Sequence, residues 1–435
     1  MRAPLESDVG GTTPASGDFQ RGAEMNVTMS TSAQLPELIR SHRQGESLPG
    51  PFYLSDEIFE LEIQRFLGSH WTLVGHASQL PSTGDYLVVD TLGASVIVVR
   101  DSSGGINAFH NVCRHRGARI CEASNGRTSL FRCRYHGWSY KLTGELAAWR
   151  HMPEGLEKRD YPLRRCGVTS FQGFILICLE PKEAPDPPQL LEHVEPYWSR
   201  YELSKCKVVA ERTYRMRANW KLCVENNLEC YHCLSGHPEY TAVNAFVRAD
   251  ECVSQSVIDS FSAFREGWEA RMRSAGTLFG RSEMRTVQGQ MCRAGTVPLA
   301  PGKVTASRDG QGLAPLLGRI AAYDESVTTG GIGFLSYLLA TCDYALSVTY
   351  LPEDAGTTNA IMRWLVREDA VAGRDYDLGE LCFLWDETTK QDKELIELNA
   401  AGVRSRGYGP GPYSRLESLT ADFIDRYLAL MSGAS

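Results

Sequence analysis

The chain has 435 residues, long enough for two or three domains, and its 43% hydrophobic and 23% charged fractions are ordinary for a globular protein. A formal charge of -8 argues against a nucleic-acid or anionic-membrane partner, whose phosphates favour basic patches. No apolar run approaches the ~20 residues that span a bilayer; the nearest, Gly331 to Leu351, is broken by Asp343 and reads as sheet.

The first 34 residues are small and polar, rich in Gly, Ser, Thr and Pro, without the apolar segment of a secretory signal. A disordered extension over 1–47 is expected, with Met25 or Met29 as alternative starts. Asp56 to Leu67 reads as the first helix. From Asp85 to Leu179 short strands alternate with turn signals: Tyr86–Val89 and Ser95–Val99 around Gly93, then Ile106–Phe109, Leu130–Phe131, Trp138–Lys141 and Gly173–Cys178. These predict a small all-β domain within 48–180, and an α+β domain over 181–435 with an antiparallel sheet flanked by helices. In the latter, Lys207–Met216 reads as a strand and Asn219–Cys233 as a buried helix. Tyr344–Leu351 and Asn359–Val366 form a hairpin, and Leu378–Asn399 and Ser418–Met431 are amphipathic helices. The stretch 250–330 is poorly periodic and rich in Gly and Arg, which predicts loops and short helices over a pocket. Neither a G-x-G-x-x-G opening a helix nor a phosphate loop is visible. Thirteen cysteines, an odd and irregularly spaced set, predict reduced thiols and a cytoplasmic location.

Some of those cysteines stand beside histidines. Cys113-Arg114-His115-Arg116-Gly117 is followed, after seventeen intervening residues from His115, by Cys133-Arg134-Tyr135-His136-Gly137-Trp138. Two Cys–His pairs at these spacings suit two loop tips clamping one metal centre, with Gly117 and Gly137 permitting the tight turns. A structural zinc is the plainer reading, but zinc ligands pair as C-x2–4-C and H-x3–5-H. Here each loop supplies one Cys and one His. Two thiolates on one iron and two imidazoles on the other describe a 2Fe–2S cluster of raised potential.

A second constellation runs Glu225-Asn226-Asn227-Leu228-Glu229-Cys230-Tyr231-His232, then His237-Pro238. On a continuous helix Glu225, Glu229 and His232 share one face. Gly236 and Pro238 mark a helix end that can swing His237 back beside His232. Two histidines and a carboxylate make the facial triad of non-haem Fe(II) oxygenases. No histidine follows His237, so a late third ligand must be a carboxylate. On the 378–399 helix Asp386, Glu387, Glu394 and Glu397 fall on the polar side. Asp392 falls on the opposite stripe with Leu381, Trp385, Thr388, Leu395 and Asn399. A buried acid needs a partner; the plainer readings are a cap or hydrogen-bond hub for Asp392 and a satisfied core pair for the histidines.

Together these residues resemble the catalytic α subunits of Rieske non-haem iron oxygenases, the ring-hydroxylating oxygenase family, from about residue 48 to 432. The resemblance implies that Cys113, His115, Cys133 and His136 bind a 2Fe–2S cluster, and that His232, His237 and Asp392 bind a mononuclear Fe(II). Asn111–Gly117, Glu225–Cys233, Asp369–Asp377 and Gln391–Ser414 look most like the branch acting on quaternary ammonium compounds such as betaines and carnitine. Ring-dihydroxylating members carry an aspartate three residues before the first His ligand; this chain has Glu229, one residue closer to Asn226. The resemblance implies that this acid bridges the two metal centres across a subunit boundary, in a homotrimer or a multiple of three.

The implied reaction inserts one oxygen of O2 into a substrate C–H bond, N-demethylating a betaine-like small molecule. NAD(P)H and flavin enter only through a separate flavin/iron–sulfur reductase. A quaternary ammonium calls for an aromatic cage; Tyr344, Tyr350, Trp364 and Phe334 are candidate walls. The competing readings are oxidation of an aromatic acid, and an electron-transfer protein made only of its Rieske module. Against the latter stand the residues from 181 onward with their own ligand set.

Overall fold

The computed structural model describes residues 31–244, 254–281 and 284–433. Residues 1–30 of the expected extension lie outside the described residues. Its last part is ordered: α1 (Thr31–Ser41) buries Leu35, so structure begins before the expected start near Leu48. Leu35, Leu38 and Ile39 recur at helical spacing and pack on the core, a short signal that the polar composition around it hides. α2 (Asp56–Glu62) starts at Ser55, whose hydroxyl accepts the Ile58 N–H. It continues as a wider turn through Ile63–Leu67.

Three small antiparallel sheets form the N-terminal module. β1 (Thr72–His76) opens it. β2 (Asp85–Thr91), β3 (Ala94–Arg100), β4 (Ile106–His110) and β5 (Asn125–Arg127) pair in the order β4-β3-β2-β5. β6 (Phe131–Arg132), β7 (Ser139–Tyr140) and β8 (Leu146–Ala148) make the second sheet. β9 (Gly167–Phe171) and β10 (Phe174–Cys178) return to give the third, β1-β10-β9. β1 and β10 are buried along their whole length because both of their faces are covered. Val74, Ile175 and Ile177 join one core cluster, while the alternate residues Leu73, Phe174 and Leu176 join another.

The second domain starts with β11 (Cys206–Met216), followed by α3 (Trp220–Leu228), α4 (Pro238–Val243) and α5 (Gln255–Ser274). Then come β12 (Gly280–Arg281), β13 (Arg285–Val287), β14 (Gln290–Pro298), β15 (Ser326–Ile332), β16 (Ser336–Ala340), β17 (Ala345–Asp354) and β18 (Thr357–Arg367). α6 (Leu378–Val403) and α7 (Ser418–Ser432) complete it. The strands form one antiparallel sheet, β11-β18-β17-β16-β15-β14-β12, with β13 also on β14. The expected α+β architecture is therefore present: an all-β module followed by an antiparallel sheet with helices. The stretch expected as loops and short helices instead holds the 20-residue α5 and long strands of the sheet. β14 hid because one of its faces carries Arg293, Gly295 and Val297 toward a cavity, which blurs the apolar alternation.

The two domains are tied at fixed points. The Trp71 N–H donates to Gln290 Oε1 at 2.8 Å, Gln290 Nε2 donates back to Trp71 O at 2.8 Å, and the Leu73 N–H donates to Ser336 Oγ at 3.0 Å. Beneath the helices a fully buried ion pair joins Lys221 Nζ of α3 to Glu62 Oε1 at 2.5 Å. Glu62 also accepts from Trp220 Nε1 at 2.7 Å and from the Tyr427 hydroxyl of α7 at 2.6 Å. Every lone pair so used is matched, which is what a buried carboxylate requires. Lys221→Met should leave Glu62 as an uncompensated buried charge and cost roughly 3–5 kcal/mol of unfolding free energy. Lys221→Met combined with Glu62→Gln should recover much of that loss, as read from denaturant melts; equal losses in both variants would contradict the account.

Candidate metal centres

The two Cys–His loops repeat one backbone pattern. Cys113 N–H donates to Ala118 O at 2.8 Å and Gly117 N–H to Cys113 O at 2.9 Å; Cys133 N–H donates to Trp138 O at 2.8 Å and Gly137 N–H to Cys133 O at 3.0 Å. Gly117 and Gly137 take φ of +79° and +74°, a region that L side chains rarely adopt. The pattern leaves Cys113 and Cys133 buried at the root, while His115 and His136 reach the rim with their Nδ1 atoms 3.1 Å apart. The Arg114 N–H donates to the Tyr140 hydroxyl at 3.0 Å, which frees that hydroxyl's proton for Cys113 Sγ at 3.3 Å. His115 stacks on Trp138 with centroids 5.0 Å apart. Buried sulfurs behind converging imidazole nitrogens are the donor set that a cluster with two thiolates on one iron and two imidazoles on the other needs.

The second site lies where α3 stops. Asn219 caps the helix by accepting the Lys221 N–H at 3.0 Å, and Glu229 turns extended at φ −129°, ψ 170°. The helix expected to run to Cys233 therefore ends at Leu228, and Glu229 shares no helix face with His232. The break brings them together another way: Glu229 Oε1 accepts from His232 Nδ1 at 2.5 Å, and its other oxygen accepts the Tyr231 N–H. Within this turn Cys230 and Cys233 are joined by a disulfide, their Cα atoms 4.9 Å apart. This pair departs from the expectation of reduced thiols.

His237 is brought beside His232, with ring centroids 5.1 Å apart, as the Gly236/Pro238 break predicts. Its Nδ1 donates to Gln391 Oε1 at 2.8 Å, and Gln391 Nε2 donates to Glu239 at 3.1 Å. Both imidazoles thus have Nδ1 occupied by an acceptor. Both turn Nε2 toward one oxygen, Asp392 Oδ1, at 3.3 Å from His232 and 2.9 Å from His237. Burial would neutralise Asp392, but the two imidazoles outweigh it and hold its carboxyl below the usual range. Burial likewise pulls His232 down, yet hydrogen bonds to Asp392 and Glu229 lift it to about 9. Two imidazole nitrogens and a carboxylate oxygen converging on one point are a donor set for a divalent iron, which would take the place of the protons they share here. Asp386, read as a polar-side residue, is buried as well; Arg212 at 2.5 Å, Lys390 at 2.8 Å and the Tyr214 hydroxyl account for its charge.

Beside these groups opens a cavity of about 240 Å3. Tyr240, whose ring centroid lies 6.3 Å from that of His237, and Tyr337 of β16 line it. None of the four rings expected from the sequence lines this cavity; Phe334, Tyr344 and Trp364 are used elsewhere, while Tyr350 lies near the site beside Asn227 and Asp392. Phe334 packs with Phe66 and Phe423 at 5.9 and 5.1 Å; Tyr344 donates its hydroxyl to Ala306 O and accepts from Trp385. Trp364 lies under Arg212, and Tyr350 contacts Asn227. Tyr240 could have been found from its place three residues after His237, one turn along a helix. Tyr337 and the arginines of the cavity carry no comparable signal.

Residues 203–433 match the family model described as the ring hydroxylating alpha subunit (catalytic domain), and residues 70–171 match the Rieske [2Fe-2S] domain. The chain is 35% identical over 402 residues to the glycine betaine monooxygenase oxygenase subunit of Pseudomonas aeruginosa, covering 90% of both chains. It is 31% identical over 216 residues to the carnitine monooxygenase oxygenase subunit of Escherichia coli, covering 48% of this chain and 56% of that one. The fold is also that of the quaternary ammonium Rieske monooxygenase CntA solved with L-carnitine: TM-score 0.65 at 20% identity, over 91% of this chain and 97% of that one.

Of the two imidazoles Gln391 touches only that of His237, so it isolates the orientation of one ring. Gln391→Leu should weaken ferrous iron binding at the second site by roughly 10- to 100-fold and leave the visible spectrum of the Cys–His cluster unchanged. Iron titration with an unaltered affinity would show that the Nδ1 contact does not matter.

Proposed function

We propose, on the premise that this chain belongs to the ring-hydroxylating oxygenase α-subunit family and is a Rieske non-haem iron monooxygenase component, that it N-demethylates a betaine-like quaternary ammonium substrate. In this reading Cys113, His115, Cys133 and His136 hold the 2Fe–2S cluster, and His232, His237 and Asp392 hold the mononuclear iron. The observation that carries it is the pair of imidazoles held at Nδ1 and converging through Nε2 on Asp392, with the His237 ring against Tyr240, which lines a neighbouring cavity together with Tyr337. Similarity to glycine betaine monooxygenase oxygenase subunits over 90% of the chain supports the substrate class.

Cys113, His115, Cys133 and His136 would hold a cluster that relays electrons, and His232, His237 and Asp392 an iron that supplies O2 activation. The overall reaction consumes O2, two electrons and two protons and gives one water and one inserted oxygen. A quaternary nitrogen has no lone pair to oxidise, so attack falls on a neighbouring C–H bond. The N-hydroxymethyl product collapses to formaldehyde and a tertiary amine. The chain's own residues hold the reaction in place: the Tyr240 and Tyr337 rings face the cationic head, while Glu229 and Gln391 fix the two imidazoles.

Electrons come from a separate flavin/iron–sulfur reductase that uses NAD(P)H, since this sequence shows no nucleotide fingerprint. A homotrimer, or a multiple of three, with head-to-tail subunits is supported by exposed apolar groups at both ends of the transfer route. Tyr135 is 57% and Val112 43% exposed beside the Cys–His tips, and Tyr231 is 54% and Leu234 47% exposed beside Glu229. A cytoplasmic location fits the supply of nicotinamide; no helix among the described residues is long and apolar enough to cross a membrane.

With a surrogate reductase, NADH and glycine betaine, formaldehyde should appear in step with substrate consumed; turnover of an aromatic acid without formaldehyde would favour the ring-oxidising reading. Glu229→Gln keeps the size of the acid but loses its charge. It should leave both centres loaded and slow reoxidation of the reduced cluster on the order of 100-fold in single turnover. Reoxidation at the normal rate would remove Glu229 from electron transfer, and parallel loss of iron and melting temperature would make it a purely structural acid.

A further inference from the structure

The cavity beside Tyr240 is unusual for a cation site because its charged lining is mostly positive. Arg281, Arg293 and Arg415 line it, against the single acid Glu229, whose oxygens are taken by His232 and the Tyr231 N–H. Arg293 is built into the sheet face that floors the cavity. It stands directly across from Gly331 on β15, and Gly331 stands across from Tyr337 on β16. Two residues on, Gly295 stands across from Arg281 of β12. Gly331 puts no side chain across from Arg293, and Arg281 packs closely over Gly295, so the two arginines stand next to each other on the face that lines the cavity.

Among the described residues no carboxylate pairs with Arg293; the charged and titratable groups that face it are Tyr337 and the like-charged Arg281. Burial, with Arg281 adding to it, pulls this guanidinium below its ordinary pKa. A desolvated cation beside a second cation is costly unless an anion completes the site. Guanidinium forks match carboxylates in particular, through two parallel hydrogen bonds.

We propose that Arg293, with Arg281 beside it, receives a carboxylate carried by the substrate, so that the cavity selects zwitterions over bare quaternary cations. The proposal rests on the N-demethylation reading for what occupies the other end of the cavity. There the Tyr240 ring adjoins His237 and takes the ammonium head, which places the N-methyl groups toward the iron ligands and the carboxylate toward β14.

The test is anaerobic calorimetry on the metal-loaded protein with three ligands of similar shape. Glycine betaine carries both charges, choline keeps only the trimethylammonium, and 3,3-dimethylbutyrate keeps only the carboxylate. Wild type should prefer glycine betaine to choline. Arg293→Met should weaken glycine betaine and 3,3-dimethylbutyrate by about 10- to 100-fold and leave choline unchanged, with Arg293→Lys in between. Cluster spectrum and melting temperature confirm that each variant is folded. Wild-type affinity for both carboxylates in folded Arg293→Met, or no preference of wild type for glycine betaine over choline, would overturn the proposal. If 3,3-dimethylbutyrate binds wild type as tightly as glycine betaine, Arg293→Met loses both and no formaldehyde is released, the arginine assignment stands and the quaternary ammonium reading falls.

Discussion

A single carboxylate facing two imidazoles organises the second domain. Asp392 of α6 is largely enclosed, its side chain 23% exposed, where an unpaired acid is costly, and Nε2 of His232 and of His237 both meet its Oδ1. Each element around it serves that meeting. The end of α3 at Leu228 allows the turn that carries His232, and the Pro238 break returns His237 to the same point. α6 packs along β11, with Asp386 tied to Arg212 of that strand, so Asp392 is set from a rigid base. The buried Glu62–Lys221 pair then fixes the start of α3 from the other side.

The N-terminal module solves a different problem with the same economy of parts. Two loops with one hydrogen-bond pattern bury their cysteines and expose their histidines. Sulfurs in a dry pocket keep water from the thiolate side, while imidazoles at the rim leave a short path outward for electrons. Glu229 and its neighbour Tyr231 lie near the surface of the other domain. On the proposed route between subunits, both ends therefore lie close to a surface.

The grouping of the candidate ligands was largely legible because it is written in residue types with few other uses. Cys–His loops ending in glycine, and an acid on the wrong stripe of an amphipathic helix, are local patterns. What failed were inferences that needed the tertiary partner. Asp386 was placed on a polar face by helix periodicity, since nothing local announces Arg212 across from it. Glu229 was placed on the helix with His232, although its role depends on α3 ending one residue earlier. The helix α1 was lost in a polar stretch, and β14 in a run whose Arg293 and Gly295 serve a cavity rather than a core. Phe334, expected at the site, belongs to the aromatic core with Phe66 and Phe423 instead. Sheet register decides which ring faces the cavity, and register is not visible in one strand alone.

The most direct test of the central claim is to count iron in purified Asp392→Ala alongside the visible absorption of the cluster. Wild type should hold about three irons per chain, two in the cluster and one at His232, His237 and Asp392. The variant should fall to about two with the cluster absorption and melting temperature intact. A variant that keeps the third iron, or that loses cluster and iron together, would contradict the account.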